Sequence, residues 1–213
     1  MNAENFIFYG CLLVAVILHE ISHGVVALFY GDDTAKRAGR LTLNPIPHID
    51  PVGSVLLPAM AILATSVSGY RVPVLGWAKP VPVSPSRLRN PRPQMLFVGL
   101  VGPVTNFALM IGSALVARSL PNDPGIDAHF VFAAFAAVNL FLGVFNLLPI
   151  PPLDGSTLLS VVLPPSRQGI VQFLEQYGIF LLLGLLILAP NLLNPIFRAI
   201  TDALYGLVGL PVG

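Results

Sequence analysis

Residues 6–30 read FIFYGCLLVAVILHEISHGVVALFY, an apolar run broken only by His19, Glu20, Ser22 and His23 among its central residues. About 20 apolar residues suffice to cross the hydrocarbon core of a bilayer, so this stretch predicts a spanning helix. An ionisable side chain near the bilayer centre costs at least about 2.5–3.5 kcal/mol, and here three stand on one turn. Positions i and i+4 of a helix share a face, so the two imidazoles converge on one point with Glu20 beside them. That spacing suits two zinc ligands and a general base. A bound cation would offset the burial by pairing with the carboxylate and holding both histidines neutral. Polar residues that merely pack helices together are the competing reading.

The rest of the chain agrees with a membrane setting. Of 213 residues, 55% are hydrophobic and 10% charged, and mean hydropathy is +0.81. Soluble domains carry about 25% charged residues, so this chain cannot clothe a water-facing surface of its size. Its length suits about five or six crossings. A net charge of +1 gives no reason to expect nucleic acid as a partner. The single cysteine, Cys11, excludes an internal disulfide and a cysteine-based zinc ribbon. No basic stretch precedes the first apolar run, which is therefore expected to be retained as a helix.

Further spans are expected at Met95–Ala117, Phe130–Leu148 and Ile170–Ala189, while the apolar stretch Pro195–Leu210 is left open. Lys36, Arg37 and Arg40 lie in the loop Gly31–Asp50, and Arg71, Lys79, Arg87, Arg89 and Arg92 in the proline-rich loop Ser68–Gln94. Positive-inside counting puts both loops on the cytoplasmic side. The short apolar segment Val52–Val67 between them is then expected to re-enter, the alternative being a true crossing that leaves five basic residues outside. Alternation followed by proline at Gly39–Pro45 predicts a short strand. The fold class expected is an all-α polytopic membrane protein of five to six transmembrane or re-entrant helices, with a small membrane-associated β element between the first helix and the helix that carries Gly102-Pro103-Val104-Thr105-Asn106.

Zinc needs a third protein ligand and an open position. Cys11 lies eight residues before His19 on the same helix, about 12 Å along its axis, and is too far. Glu175 suits the first turn of a late helix, and Asp202 a solvated face. Asp123 and Asp127 belong to the loop assigned to the opposite side. Asp154 remains, following the helix-breaking Pro149-Ile150-Pro151-Pro152 and preceding Gly155. It is either the third ligand or a cap for a helix starting near Ser156. An intramembrane His-Glu-x-x-His favours the ligand.

Three pieces together carry a family resemblance: His19-Glu20-Ile21-Ser22-His23, Gly102-Pro103-Val104-Thr105-Asn106, and Asn146-Leu147-Leu148-Pro149-Ile150-Pro151-Pro152-Leu153-Asp154-Gly155. In this order they resemble the site-2 protease family of intramembrane zinc metalloproteases. The resemblance implies His19, His23 and Asp154 as ligands of Zn2+, Glu20 as catalytic base and acid, and an active site within the bilayer toward the cytoplasm. No inserted peptide-binding module or nucleotide-sensing pair is found, so the likeness is to a minimal form and no nucleotide is expected. One domain is expected over residues 1–213, with a catalytic core over about 6–163 and C-terminal helices over about 170–210.

Asn106 and Asn146 could each orient a ligand, stabilise an oxyanion or simply bond between helices. His48 and Asp50 read as loop residues. The function expected is hydrolysis of membrane-spanning protein substrates by a multi-pass protein of the plasma membrane. The substrate would be held extended against Arg40–Leu43 or Pro149–Pro152. The rival readings are an ion transporter, which would need ionisable groups along several spans, and a catalytically idle metal-binding relative.

Overall fold

The computed structural model describes residues 3–56, 59–60, 63, 78–121, 125–188, 195, 198–199 and 202. Three helices among them are long and apolar enough to cross a membrane: α1 (Ala3–Phe29), α3 (Pro91–Ser119) and α4 (Ala128–Asn146). The short helix α2 (Thr34–Arg37) follows α1, and α5 (Thr157–Val162) and α6 (Gln168–Leu188) follow α4. The 19 residues of α4 rise about 28 Å, close to the hydrocarbon thickness.

Local sequence accounts for where these helices begin. Pro91 stands at the first turn of α3, where a missing N–H costs nothing, and the Gln94 side chain accepts the Asn90 N–H at 2.8 Å. Asp127 caps α4 by accepting the Phe130 N–H at 2.7 Å.

Many small residues of these helices face inward and many of the large apolar ones outward. Ala15, Ala27, Gly99, Gly102, Ala114, Ala117, Ala134 and Ala136 are buried where α1, α3 and α4 pack together. Phe6, Val14, Phe29, Phe97, Val104, Leu115, Phe132 and Phe141 are exposed. Lipid tails are as apolar as leucine, so a bilayer takes the large side chains while small ones let backbones approach. The arrangement is that of an integral membrane protein.

The expected fourth span, Ile170–Ala189, falls on α6, whose apolar stretch Gly169–Leu185 is shorter than the other three. Within Val52–Val67 the described residues form a π-helical turn, Pro51–Leu56, with helical backbone at 59, 60 and 63. Whether that segment crosses or re-enters, and the status of Pro195–Leu210, lie outside the described residues.

The strand expected over Gly39–Pro45 is not formed; the backbone there runs through bends, and no strand occurs among the described residues. A ladder needs a partner backbone, and here side chains occupy the polar groups instead. Asn44 N–H donates to Thr42 Oγ1 at 3.2 Å, Ile46 N–H to Asn44 Oδ1 at 3.1 Å, and His48 Nε2 to the Thr42 carbonyl at 2.9 Å.

The loop after α1 is fastened to the segment leading into α3. Asp32, fully buried, accepts Thr34 N–H at 3.0 Å and Ser84 N–H at 2.6 Å, and also the Thr34 hydroxyl. Arg40 donates to the Lys79 carbonyl, and Lys79 N–H to the His48 carbonyl at 2.9 Å. Residues 78–84 are thereby drawn across the α1 face that carries Glu20.

Candidate metal centre

One turn of α1 presents His19 and His23, both buried, with ring centroids 4.7 Å apart. Each ring is gripped through Nδ1. His19 Nδ1 lies 2.5 Å from Asn106 Oδ1, and His23 Nδ1 lies 2.6 Å from the Val98 carbonyl. Both partners are on α3. A carbonyl oxygen only accepts, so His23 Nδ1 carries a proton, and in the neutral ring its Nε2 is a lone pair. The same holds for His19 with Asn106 presenting its oxygen.

The two Nε2 atoms stand 3.1 Å apart. Asp154 Oδ2 completes the triangle at 2.9 Å from His19 Nε2 and 3.3 Å from His23 Nε2. Donors held about 2.0–2.2 Å from a tetrahedral zinc stand about 3.3–3.6 Å from one another, so these edges fit one such ion, slightly contracted. The short His19–Asp154 distance would make an ion pair only if the ring carried two protons. With both rings neutral and Nδ1 the donor, three lone pairs face each other, and Asp154 Oδ2 is buried without any hydrogen-bond partner. A buried orphan acceptor between two imidazole nitrogens is what a cation site requires. His19, His23 and Asp154 could therefore hold a metal ion.

Backbone features bring Asp154 there. After α4 the proline run ends the helix, and a 3-10 turn, Asp154–Ser156, carries the carboxylate. Thr157 Oγ1 donates to the Asp154 carbonyl at 2.7 Å. A Cβ on Gly155 would overlap the Leu147 carbonyl, so only glycine lets the turn lie so close to the end of α4. The Asp154 side chain caps no helix: α5 begins without a side-chain cap. Across the site, a Cβ on Gly102 would stand 2.5 Å from His19 Cε1 and from His23 Nε2.

Glu20 Oε2 accepts the Val81 N–H at 2.7 Å. Asn146 Nδ2 donates to the Leu142 carbonyl of its own helix at 3.1 Å, so of the two asparagines only Asn106 reaches a histidine. His48 is buried in the loop, away from the triangle. Two partners escaped the sequence reading. Asn139, wholly buried in α4, accepts Asn106 Nδ2 at 2.9 Å; its only signal is an amide in an apolar run. Val81 acts through its backbone and leaves no side-chain signature.

Comparison with known proteins gives the family. The profile of "Peptidase family M50" matches residues 120–188. The "Putative zinc metalloprotease YwhC" of Bacillus subtilis is 37% identical over 202 residues, covering 91% of this chain and 86% of that protein. Rip2 of Mycobacterium tuberculosis, which bears the same designation, is 33% identical over 201 residues, covering 93% and 72%. The "Zinc metalloprotease MJ0392" of Methanocaldococcus jannaschii is 26% identical over 165 residues, covering 76% and 37%. No solved structure matches the chain. Identity of this extent, spread over nearly the whole of YwhC, bears out the site-2 protease resemblance: the chain belongs to peptidase family M50 and is a membrane-embedded metalloprotease.

Proposed function

We propose that this protein hydrolyses peptide bonds of membrane-spanning proteins with a zinc ion held by His19, His23 and Asp154 and with Glu20 as general base and acid. The observation that carries this is the triangle of lone-pair atoms with edges of 2.9, 3.1 and 3.3 Å around an otherwise unpartnered carboxylate oxygen. When bound, zinc supplies a Lewis acid that polarises the scissile carbonyl and makes water more acidic.

The chain's own groups do the rest. Asn106 and Val98 hold the two rings with their Nε2 lone pairs aimed inward. Asp154 contributes the negative charge that makes the triad net anionic toward a cation. Glu20 receives a proton from the attacking water and delivers it to the leaving amine nitrogen. The Val81 N–H on Oε2 orients that carboxylate and leaves Oε1 for the proton. A helical substrate hides its carbonyls and must be drawn out extended before it can react. The Pro149–Pro152 run beside Asp154 is the remaining place for that, since Arg40–Leu43 forms no strand.

His23 lies six residues and His19 ten residues before the end of α1, about 9 and 15 Å along its axis. The loops at that end carry Lys36, Arg37, Arg40, Lys79, Arg87 and Arg89. Basic residues favour the cytoplasmic side, so the site opens toward the cytoplasm of, in our reading, the plasma membrane. Residues 1–213 act as one domain in this scheme.

The test is elemental analysis of purified wild type, Asp154→Ala and Glu20→Gln, with cleavage of a panel of single-span membrane reporters. About one zinc per chain is expected in wild type and Glu20→Gln, with much less in Asp154→Ala and cleavage by wild type alone. A metal-free wild type from zinc-replete cells would overturn the proposal.

A further inference from the structure

We propose that Asn139 is a positioning residue that decides, through Asn106, which nitrogen of His19 is left bare for the metal. The proposal rests on the metal-site reading above and deepens it. Asn139 and Asn106 are both 0% exposed, on helices whose shared core is Met110, Ala114, Ala136, Leu140 and Val144. Burying amides in such a core is unfavourable unless their hydrogen bonds are met.

They are met in one order only. The Phe135 carbonyl can only accept, so Asn139 turns its Nδ2 there, at 2.8 Å. Asn139 Oδ1 then faces α3 and takes Asn106 Nδ2 at 2.9 Å. This turns Asn106 Oδ1 toward His19 Nδ1, at 2.5 Å, and that nitrogen must carry the ring proton. In the neutral ring its Nε2 is thus a lone pair beside Asp154 Oδ2. The polarity of one helix carbonyl is passed through two amides to the tautomer of a histidine.

His23 needs no such relay. Its Nδ1 meets the Val98 carbonyl, which has no alternative orientation. An amide does: half a turn about χ2 exchanges oxygen for nitrogen at little steric cost. Without the acceptor of Asn139, Asn106 can present Nδ2 to His19 Nδ1. The ring would then carry its proton on Nε2, aimed into the triangle where the cation belongs. Asn139 closes off that flip.

Two measurements test this on the full-length protein in detergent. The first is zinc affinity of metal-free protein, by competition with a chromogenic chelator, for wild type, Asn139→Leu, Asn106→Asp and the double variant. Loss of an outer partner of a metal-bound histidine typically costs about 10–100-fold in affinity, and Asn139→Leu is expected to lose at least about 10-fold. An aspartate at 106 has two equivalent oxygens and no flip to suppress. In that background Asn139→Leu is therefore expected to change zinc affinity less than about twofold. An equal loss in both backgrounds, or a loss in neither, overturns the proposal, because simple packing would act alike in each.

The second is nitrogen NMR of selectively labelled histidine in the metal-free protein near neutral pH. The His19 ring is expected as the Nδ1–H tautomer in wild type, with Nε2–H gained in Asn139→Leu; Asn139→Ala serves in its place should the leucine variant not fold. An unchanged tautomer overturns the proposal. That spectrum needs no zinc, so a wild type that binds none would sink the protease reading while still deciding the role of Asn139.

Discussion

Val81 donates its backbone N–H to Glu20 Oε2 at 2.7 Å, bridging 61 residues of chain. Lys79 and Ser84 are tied on either side, to His48 and to Asp32, so this N–H is held over the carboxylate. Proline at 81 would remove the donor and little else, whereas alanine keeps it. A hydrogen bond to a charged group contributes about 1.5–3 kcal/mol, equivalent to roughly 10–150-fold. Val81→Pro is expected to lower cleavage of a membrane reporter within that range while zinc content stays near one per chain. Val81→Ala should fall well short of it. Equal losses in the two would mean that the strap matters only through packing.

Gly102 faces both imidazoles, and a Cβ would stand 2.5 Å from each. Neither ring can retreat, since each is bonded through Nδ1 to α3 itself. Gly102→Ala should therefore lose zinc as well as cleavage, whereas Gly112→Ala, on the same helix with open space around its Cα, should keep both. Elemental analysis of the two variants separates a steric effect at the site from a general effect of alanine in α3.

The site was largely legible in the sequence because its parts are local or strongly punctuated. His19 and His23 declare themselves by the spacing of four on an apolar helix, and Asp154 by the prolines before it and Gly155 after it. Asn139 has no such spacing: its partner is 33 residues away and meets it only once α3 and α4 pack. Asn146, which could orient a ligand or simply bond between helices, turns its Nδ2 back to the Leu142 carbonyl one turn earlier. At Gly39–Pro45, alternation said nothing of a partner strand, and Leu43 is exposed while Arg40 is buried. Arg40, Asn44 and His48 fill that role with side chains.

Asp32 makes the fold pH-sensitive outside the membrane. Burial works to raise its pKa, but the bonds from Thr34 and Ser84, with Arg87 nearby, prevail and hold it below the ordinary carboxylate value. A carboxyl with a depressed folded pKa contributes stability above its unfolded pKa, near 4, and loses it as pH falls through the folded value. Thermal unfolding of the metal-free protein should show wild type more stable than Asp32→Asn at neutral pH. The gap should persist to about pH 5 and close below about pH 4. A gap constant down to about pH 3 would assign the effect to packing and not to charge.

Removing the metal should uncouple Asp154 from α1. The 3-10 turn that bears it faces α1 through a carboxylate whose buried oxygen has no protein hydrogen bond and lies 2.9–3.3 Å from the two Nε2 atoms, so a cation there ties the turn to the helix. A ligand that binds only the folded form stabilises it by about 2.7 kcal/mol at 100 times its dissociation constant. Chelation is therefore expected to lower the unfolding temperature of wild type by several degrees, with zinc restoring it. Asp154→Ala removes the third ligand. Zinc should raise its unfolding temperature far less than that of wild type. If zinc stabilised Asp154→Ala as much as wild type, the ion would be held by His19 and His23 without the carboxylate, and Asp154 would have to be reassigned.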